Sequence, residues 1–194
     1  MDDDRARSGI LDAAEELYYG RGIRAVGMDE LRARAGVSLK LLYRLYPSKE
    51  ELVVAVLDRR DRAWRGRLAA HVAGASDPRE RLLAVFDWLG LWFAEPGFRG
   101  CAWINSYGEM GATSPAIAAR ARDHKSRFRA DLGGWVADAG LPPGLAEELL
   151  LLAEGAMVTA AIFGTPEPAA RARAAAARLI DYESAQPGRT SPDS

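Results

Sequence analysis

A single cysteine in 194 residues cannot form an intramolecular disulfide, so the chain is not a disulfide-stapled secreted scaffold. Cys101 is therefore expected as a thiol in a reducing cytosol. Histidine is nearly as scarce. His71 and His124 stand about fifty residues apart, and no Cys/His group has zinc-site spacing, so no metal is expected. No run of 18 or more apolar residues is present. The most apolar segment, Leu149–Phe163, is too short to span a bilayer and is broken by Glu154 and Gly155. The amino terminus reads Met1-Asp2-Asp3-Asp4, whereas a secretory signal begins basic and then turns apolar. No export or membrane attachment is expected, and the cytoplasm is the expected location. There is also no Gly-rich phosphate loop, because Gly20-Arg21-Gly22 lacks both the spacing and the Lys. The carboxylate pairs Glu15/Glu16 and Glu50/Glu51 are adjacent on helices and diverge in space, as solvated faces or caps do. With no nucleophile–base pair, metal cluster or cofactor motif, the chain does not read as an enzyme, and no cofactor is expected.

An excess of charge of one sign is missing overall, since the formal net charge is -1. The distribution is less even. Arg21, Arg24, Arg32, Arg34, Lys40, Arg44 and Lys49 face only Asp29 and Glu30 over residues 21–49. Such a local basic excess is the electrostatic footprint of a phosphate-binding surface, although a solvated charged face has the same composition.

What the chain does have is helical periodicity. Nearly half the residues are apolar (48%), enough for a sizeable core, and none of the apolar runs alternates as strands do. Nine helices are expected. The first covers about Arg5–Tyr19, with Ile10, Ala14, Leu17 and Tyr18 as its stripe, and stops at Gly20 and Gly22. Met28–Ala35 and Leu39–Leu45 follow as two short helices, and Pro47 breaks the chain. Ser48-Lys49-Glu50-Glu51 matches a capping box that opens a long helix reaching about Val72. Asp77-Pro78-Arg79-Glu80 opens the fifth helix, which ends at Glu95-Pro96-Gly97. The remaining helices cover about Cys101–Met110, Ser114–Gly140, Gly144–Phe163 and Glu167–Tyr182. On the seventh, Ile117, Ala121, His124, Phe128, Leu132 and Trp135 share one face. Residues 184–194 are rich in Pro and small polar residues and are expected to be a disordered tail.

Residues 27–46 carry the functional signal. Leu31 and Ala35 are four apart and face inward. Gly36 stands where a tight turn needs a left-handed backbone, which glycine adopts without steric cost. Val37 plugs the angle between the two helices, and Ser38 is placed to cap the second. Leu42 and Leu45 can pack this helix back onto its neighbours. Leu39, Lys40, Leu41, Tyr43 and Arg44 cannot then all be core. Lys40 and Arg44, four apart on an exposed side, form the face that a recognition helix presents to the major groove. Lys49, in the first turn of the next helix, lies where free amides and the helix dipole favour a phosphate.

The run Ile10-Leu11-Asp12-Ala13-Ala14-x-x-Leu17, Gly22, Met28-Asp29-x-Leu31, Ala35-Gly36-Val37-Ser38, Leu42-Tyr43-x-x-Tyr46-Pro47-Ser48-Lys49-Glu50-Glu51-Leu52 resembles the amino-terminal domain of TetR/AcrR-family regulators. The segment Arg99-Gly100-Cys101-Ala102-Trp103-Ile104-Asn105 is similar to a helix start in one branch of that family. The resemblance implies an all-α fold. Residues 1–47 would be a helix-turn-helix domain extending to about residue 60, and residues 48–183 an effector-binding and dimerisation domain. It implies a homodimer, joined through the eighth and ninth helices, on a pseudo-palindromic double-stranded DNA operator. Tyr43 and Lys49 match phosphate-contacting positions, and Ser38, Leu39, Lys40, Leu41 and Arg44 match positions at or near base edges. Met28 matches the start of the second helix, also at the DNA. This sequence departs from the family there, because Gly27 stands where a phosphate-touching Ser or Thr is usual. It departs again at Lys40-Leu41, where a small residue and Thr or Ser are common. Base reading would then rest on Lys40 donating to guanine and Leu41 touching a thymine methyl.

In the carboxy-terminal part, Trp88, Trp92, Phe93, Trp103, Tyr107 and Phe128 are candidate walls of an effector pocket. Asn105 and His124 are its candidate polar contacts, and the effector itself is an unknown small molecule. Aromatics at helical spacing are also what a plain core needs. The leading expectation is a dimeric repressor released from its operator by that effector. The alternative is a helical ligand- or protein-binding module with vestigial DNA affinity.

Overall fold

The computed structural model describes residues 2–185. Among the described residues there are nine α-helices and no strand: α1 (Asp3–Arg21), α2 (Met28–Ala35), α3 (Leu39–Leu45), α4 (Lys49–Val72), α5 (Pro78–Phe93), α6 (Ala102–Met110), α7 (Pro115–Asp138), α8 (Leu145–Phe163) and α9 (Glu167–Ser184). The expected all-α class and helix order are both present, with ends displaced by at most about two residues. α9 runs through Ser184, so the start of the expected tail is helical, and residues 186–194 lie outside the described residues.

Local chemistry explains the boundaries. The Asp77 carboxylate accepts the Arg79 and Glu80 amides at 2.8 and 3.1 Å, and Pro78 occupies the first turn of α5, where its missing N–H costs nothing. Ser48 accepts the Glu51 amide at 3.1 Å. Its hydroxyl also donates to the Glu51 carboxylate at 3.3 Å, so this box closes between side chains rather than on the cap amide. Gly36, at φ +67°, ends α2 in the left-handed conformation expected of it.

The chain forms two compact units, Met1–Ala63 with Cys101–His124, and Trp64–Gly100 with Lys125–Ser194. α4 and α7 each contribute residues to both. In the first unit α1, α2 and α3 pack together around Ile10, Leu31 and Leu42, all fully buried. Each such side chain contributes roughly 2 kcal/mol by leaving water.

In the second unit α5 packs on α8 and α9, and α8 on α9. Buried Ala169, Ala172 and Ala176 let α9 approach closely, and the Ala169 methyl lies 3.4 Å from where a Cβ on Gly90 would be. Trp64 meets Trp88, Trp92 and Phe128 edge-on with ring centroids 5.0, 5.7 and 5.2 Å apart, a geometry that complements the ring quadrupoles.

Candidate functional site

α3 is two-sided. Leu42 and Leu45 are buried, whereas Leu39, Lys40, Tyr43 and Arg44 are exposed and Leu41 is half-buried. Its amino-terminal end is fixed by Ser38, whose hydroxyl accepts the Leu41 amide at 3.1 Å. Its carboxy-terminal end is held by Arg7 of α1, which donates to the Leu45 carbonyl at 3.2 Å, with its guanidinium 5.7 Å from the centre of the Tyr46 ring. For a helix of seven residues, too short to be stable alone, these two end contacts and the two buried leucines supply the rigidity. No sequence signal pointed to Arg7. Gly27 caps α2 without any side-chain hydrogen bond, and Met28 beside it is half-buried.

The charge picture differs from the linear count. Arg44 pairs with Asp3 at 2.5 Å and Arg34 with Glu16 at 2.6 Å, both carboxylates coming from α1. Arg21 pairs with Glu30, and Arg32 with Asp29 at 3.1 Å. Arg24 and Lys40 have no ion-pair partner among the described residues. Residues 1–47 as a whole hold eight Lys and Arg and eight Asp and Glu, so the basic excess over residues 21–49 is largely cancelled by α1. Lys40 is left as the open cation on the exposed face of α3.

Lys49 is turned inward. Its ammonium donates to the Val26 carbonyl at 2.6 Å and lies 5.9 Å from the centre of the Tyr18 ring. Burial pushes its pKa below the ordinary Lys value, and the Glu109 carboxylate partly restores it.

The residues expected to line one effector pocket divide between the two units. Trp88, Trp92, Phe93 and Phe128 belong to the second, where they are buried in the tryptophan cluster. Trp103, Asn105, Tyr107 and His124 belong to the first. There Trp103 and His124 stack face to face, with ring centroids 3.5 Å apart, and His124 Nδ1 lies 2.7 Å from the buried Asp61 carboxylate. Tyr107 is exposed.

A small cavity of about 30 Å³ lies in the first unit among Tyr18, Ile23, Val53, Leu57, Arg60, Asn105 and Ser106, room for a water molecule or two. Asn105 is the member of the anticipated set that reaches it. Among the described residues no group of three or more His, Cys, Asp or Glu is placed to hold a metal ion, and no helix is long and apolar enough to cross a membrane.

Residues 10–56 match the family model for bacterial regulatory proteins of the tetR family, a segment that holds α2, α3 and the turn between them. Over 84 residues the chain is 39% identical to the HTH-type transcriptional activator FasR of Mycolicibacterium smegmatis, covering 43% of this chain and 38% of that protein. Over 122 residues it is 34% identical to an HTH-type transcriptional regulator of Mycobacterium tuberculosis, covering 60% of this chain and 59% of the other. The matched stretches thus span less than two thirds of these relatives. Among solved structures, SCO4454, a TetR-family transcriptional regulator from Streptomyces coelicolor, superposes with a TM-score of 0.84 at 26% identity, covering 93% of this chain and 97% of that one. The reduced form of Escherichia coli NemR superposes with a TM-score of 0.79 at 25% identity, covering 90% and 96%. Residues 10–56 thus carry the tetR-family segment, folded as two short helices about a left-handed glycine, and the all-α chain superposes on a solved TetR-family transcriptional regulator over 93% of its length.

Proposed function

We propose that the protein is a dimeric transcriptional repressor of the cytoplasm that docks α3 in the DNA major groove and leaves its operator when a small molecule binds. The observation that carries this reading is the two-sidedness of α3, with Leu42 and Leu45 locked into the core and Leu39, Lys40, Tyr43 and Arg44 facing outward. In this reading Lys40 donates to guanine, Leu41 touches a thymine methyl, and Ser38, Leu39 and Arg44 lie at the base edges. Tyr43 contacts the phosphate backbone, and Met28 with the start of α2 approaches it from the side. The DNA-binding part is residues 1–47 with the first turns of α4, and the remainder senses the effector and dimerises.

Dimerisation through α8 and α9 is supported by the apolar side chains they leave open. Leu151, Ile162 and Phe163 are about three-quarters exposed, and Val158 and Tyr182 are exposed as well. A groove of about 690 Å³ runs along the same helices, past Leu151, Phe163, Pro168 and Arg171. Apolar groups of this size left in water mark an interaction surface. A twofold through it would repeat α3 on a pseudo-palindromic operator, with half-sites about one DNA turn apart. A ligand that prefers a different spacing of the two reading heads shifts the population and releases DNA.

A second reading, a helical ligand- or protein-binding module with vestigial DNA affinity, is favoured by the pairing of Arg21, Arg32, Arg34 and Arg44 with carboxylates. Titrating the full chain into the duplex that flanks its own gene separates the two. Salt-sensitive, sequence-preferring binding that weakens in Lys40→Ala supports the regulator. Binding without sequence preference, unchanged in Lys40→Ala, supports the module.

A further inference from the structure

α1, α4 and α6 close around the cavity of about 30 Å³ in the first unit. Two residues of its wall, Tyr18 and Arg60, each carry a buried polar atom with no hydrogen-bond partner among the described residues. Tyr18 as a whole is 7% exposed, and the atom in question is its hydroxyl. In Arg60 it is Nε. The rest of that guanidinium is committed. Nη1 donates to Glu15 at 2.8 Å, and the group lies 4.0 Å from the centre of the Tyr19 ring. A buried polar group left without a bond is costly, so folded proteins keep few of them. Two in the wall of one cavity mark a place suited to receive a partner.

We propose that this cavity binds the oxygen end of a small neutral carbonyl compound, with the Tyr18 hydroxyl and Arg60 Nε as its two donors. The chemistry follows from the wall. Both groups have a proton to give, and a carbonyl oxygen has two lone pairs and no proton of its own to place. A cation offers neither donor an acceptor. An anion meets two carboxylates, Glu15 and Glu109, against the one guanidinium of Arg60, which Glu15 already holds. Glu109 is occupied as well, accepting the Ile23 and Arg24 amides at 3.1 and 2.9 Å. Buried Ile23, Val53 and Leu57 add apolar wall for the carbon that bears the oxygen. The room is about two or three heavy atoms, the size of formamide or of the carbonyl end of a longer molecule.

The position also matters. α1 carries both Tyr18 and Arg7, and Arg7 holds the Leu45 carbonyl at the end of α3. A molecule bound in the cavity therefore bears on the reading helix. That consequence rests on the DNA reading above, whereas the binding itself does not.

Formamide and formate, alike in shape and different in charge, probe the site on the whole chain. Proton–nitrogen correlation spectra follow the Arg60 Nε–Hε resonance, which reports on one of the two donors directly. Formamide should shift it saturably with a Kd of about 10 mM, within the reach of so small a ligand. Formate should bind at least about tenfold more weakly, because the carboxylates of the wall oppose it. Tyr18→Phe removes a hydroxyl that has no bond to lose, so the fold is kept, and formamide affinity should fall about fivefold. No saturable shift of the Arg60 resonance, an equal affinity in Tyr18→Phe, or formate binding as tight as formamide overturns the proposal. Because the spectra are taken without DNA, a chain that prefers no duplex sinks the DNA reading and leaves the site to be decided by these spectra.

Discussion

Replacing Asp3 by Asn should tighten DNA binding. The Asp3 carboxylate lies 2.5 Å from Arg44 on the outward face of α3, and both side chains are more than half exposed. In the free protein Arg44 is therefore occupied by an acid from α1 and must be released before it meets a phosphate or a base. Because solvent and salt screen the pair, it holds only about 0.2–1 kcal/mol. Removing the charge while keeping the shape should then strengthen binding by about 1.4- to 5-fold at low salt. The gain should shrink at about 0.3 M salt, where the screening length falls well below 10 Å.

Fluorescence anisotropy with a labelled duplex measures this directly, and the control is the same substitution in an Arg44→Ala background. There the gain should disappear, since the partner that Asp3 withholds is already gone. An unchanged or weaker affinity in Asp3→Asn would show that Asp3 does not withhold Arg44 from DNA. So would an equal gain in the Arg44→Ala background, which would mean that net charge alone is at work.

Three further outcomes are expected. Gly100→Ala should destabilise the protein by about 2–3 kcal/mol, because Gly100 sits at φ +85° and a Cβ would lie 2.9 Å from the Ala161 methyl; thermal unfolding followed by circular dichroism checks this. Ser38→Ala should cost about 1 kcal/mol of stability through loss of the α3 cap, read from denaturant midpoints, and should weaken DNA binding alongside it. Tyr18→Phe should leave neutral-pH stability unchanged or raise it by about 1 kcal/mol, because the buried Tyr18 hydroxyl has no hydrogen-bond partner among the described residues. Burial raises the Tyr18 pKa above its ordinary 10.0, so the unfolded chain ionises first and stability is lost as pH rises beyond about 10. Denaturant unfolding of wild type and Tyr18→Phe across that range should show the wild type falling more steeply.

The helices were legible because their signals are local. Ser38, Ser48 and Asp77 announce starts, Gly36 announces a turn, and Leu31, Leu42 and Leu45 repeat at helical spacing. The exposed face of α3 followed by subtraction. What escaped is what the fold brings together from distant positions. The charge count over residues 21–49 missed Asp3 and Glu16, which reach α3 and α2 only once α1 is packed. Glu109 had no sequence signal at all, since its partners are two backbone amides that every residue but proline offers. Lys49 was recognisable by motif, but the inward turn of its ammonium depends on the Val26 carbonyl. The aromatic set was legible as apolar and helical. Its division between a tryptophan cluster in one unit and the Trp103–His124 stack in the other depends on where α5, α6 and α7 meet their neighbours.

Whether α3 reads DNA bases is decided by letting the whole 194-residue chain select duplexes from a randomised library. A base-reading α3 enriches an inverted repeat whose half-sites lie about one helical turn apart, with Lys40→Ala relaxing the preference at one symmetry-related pair of positions. Recovery of duplexes with no common sequence, or a repeat whose base preferences are identical in Lys40→Ala, would contradict it.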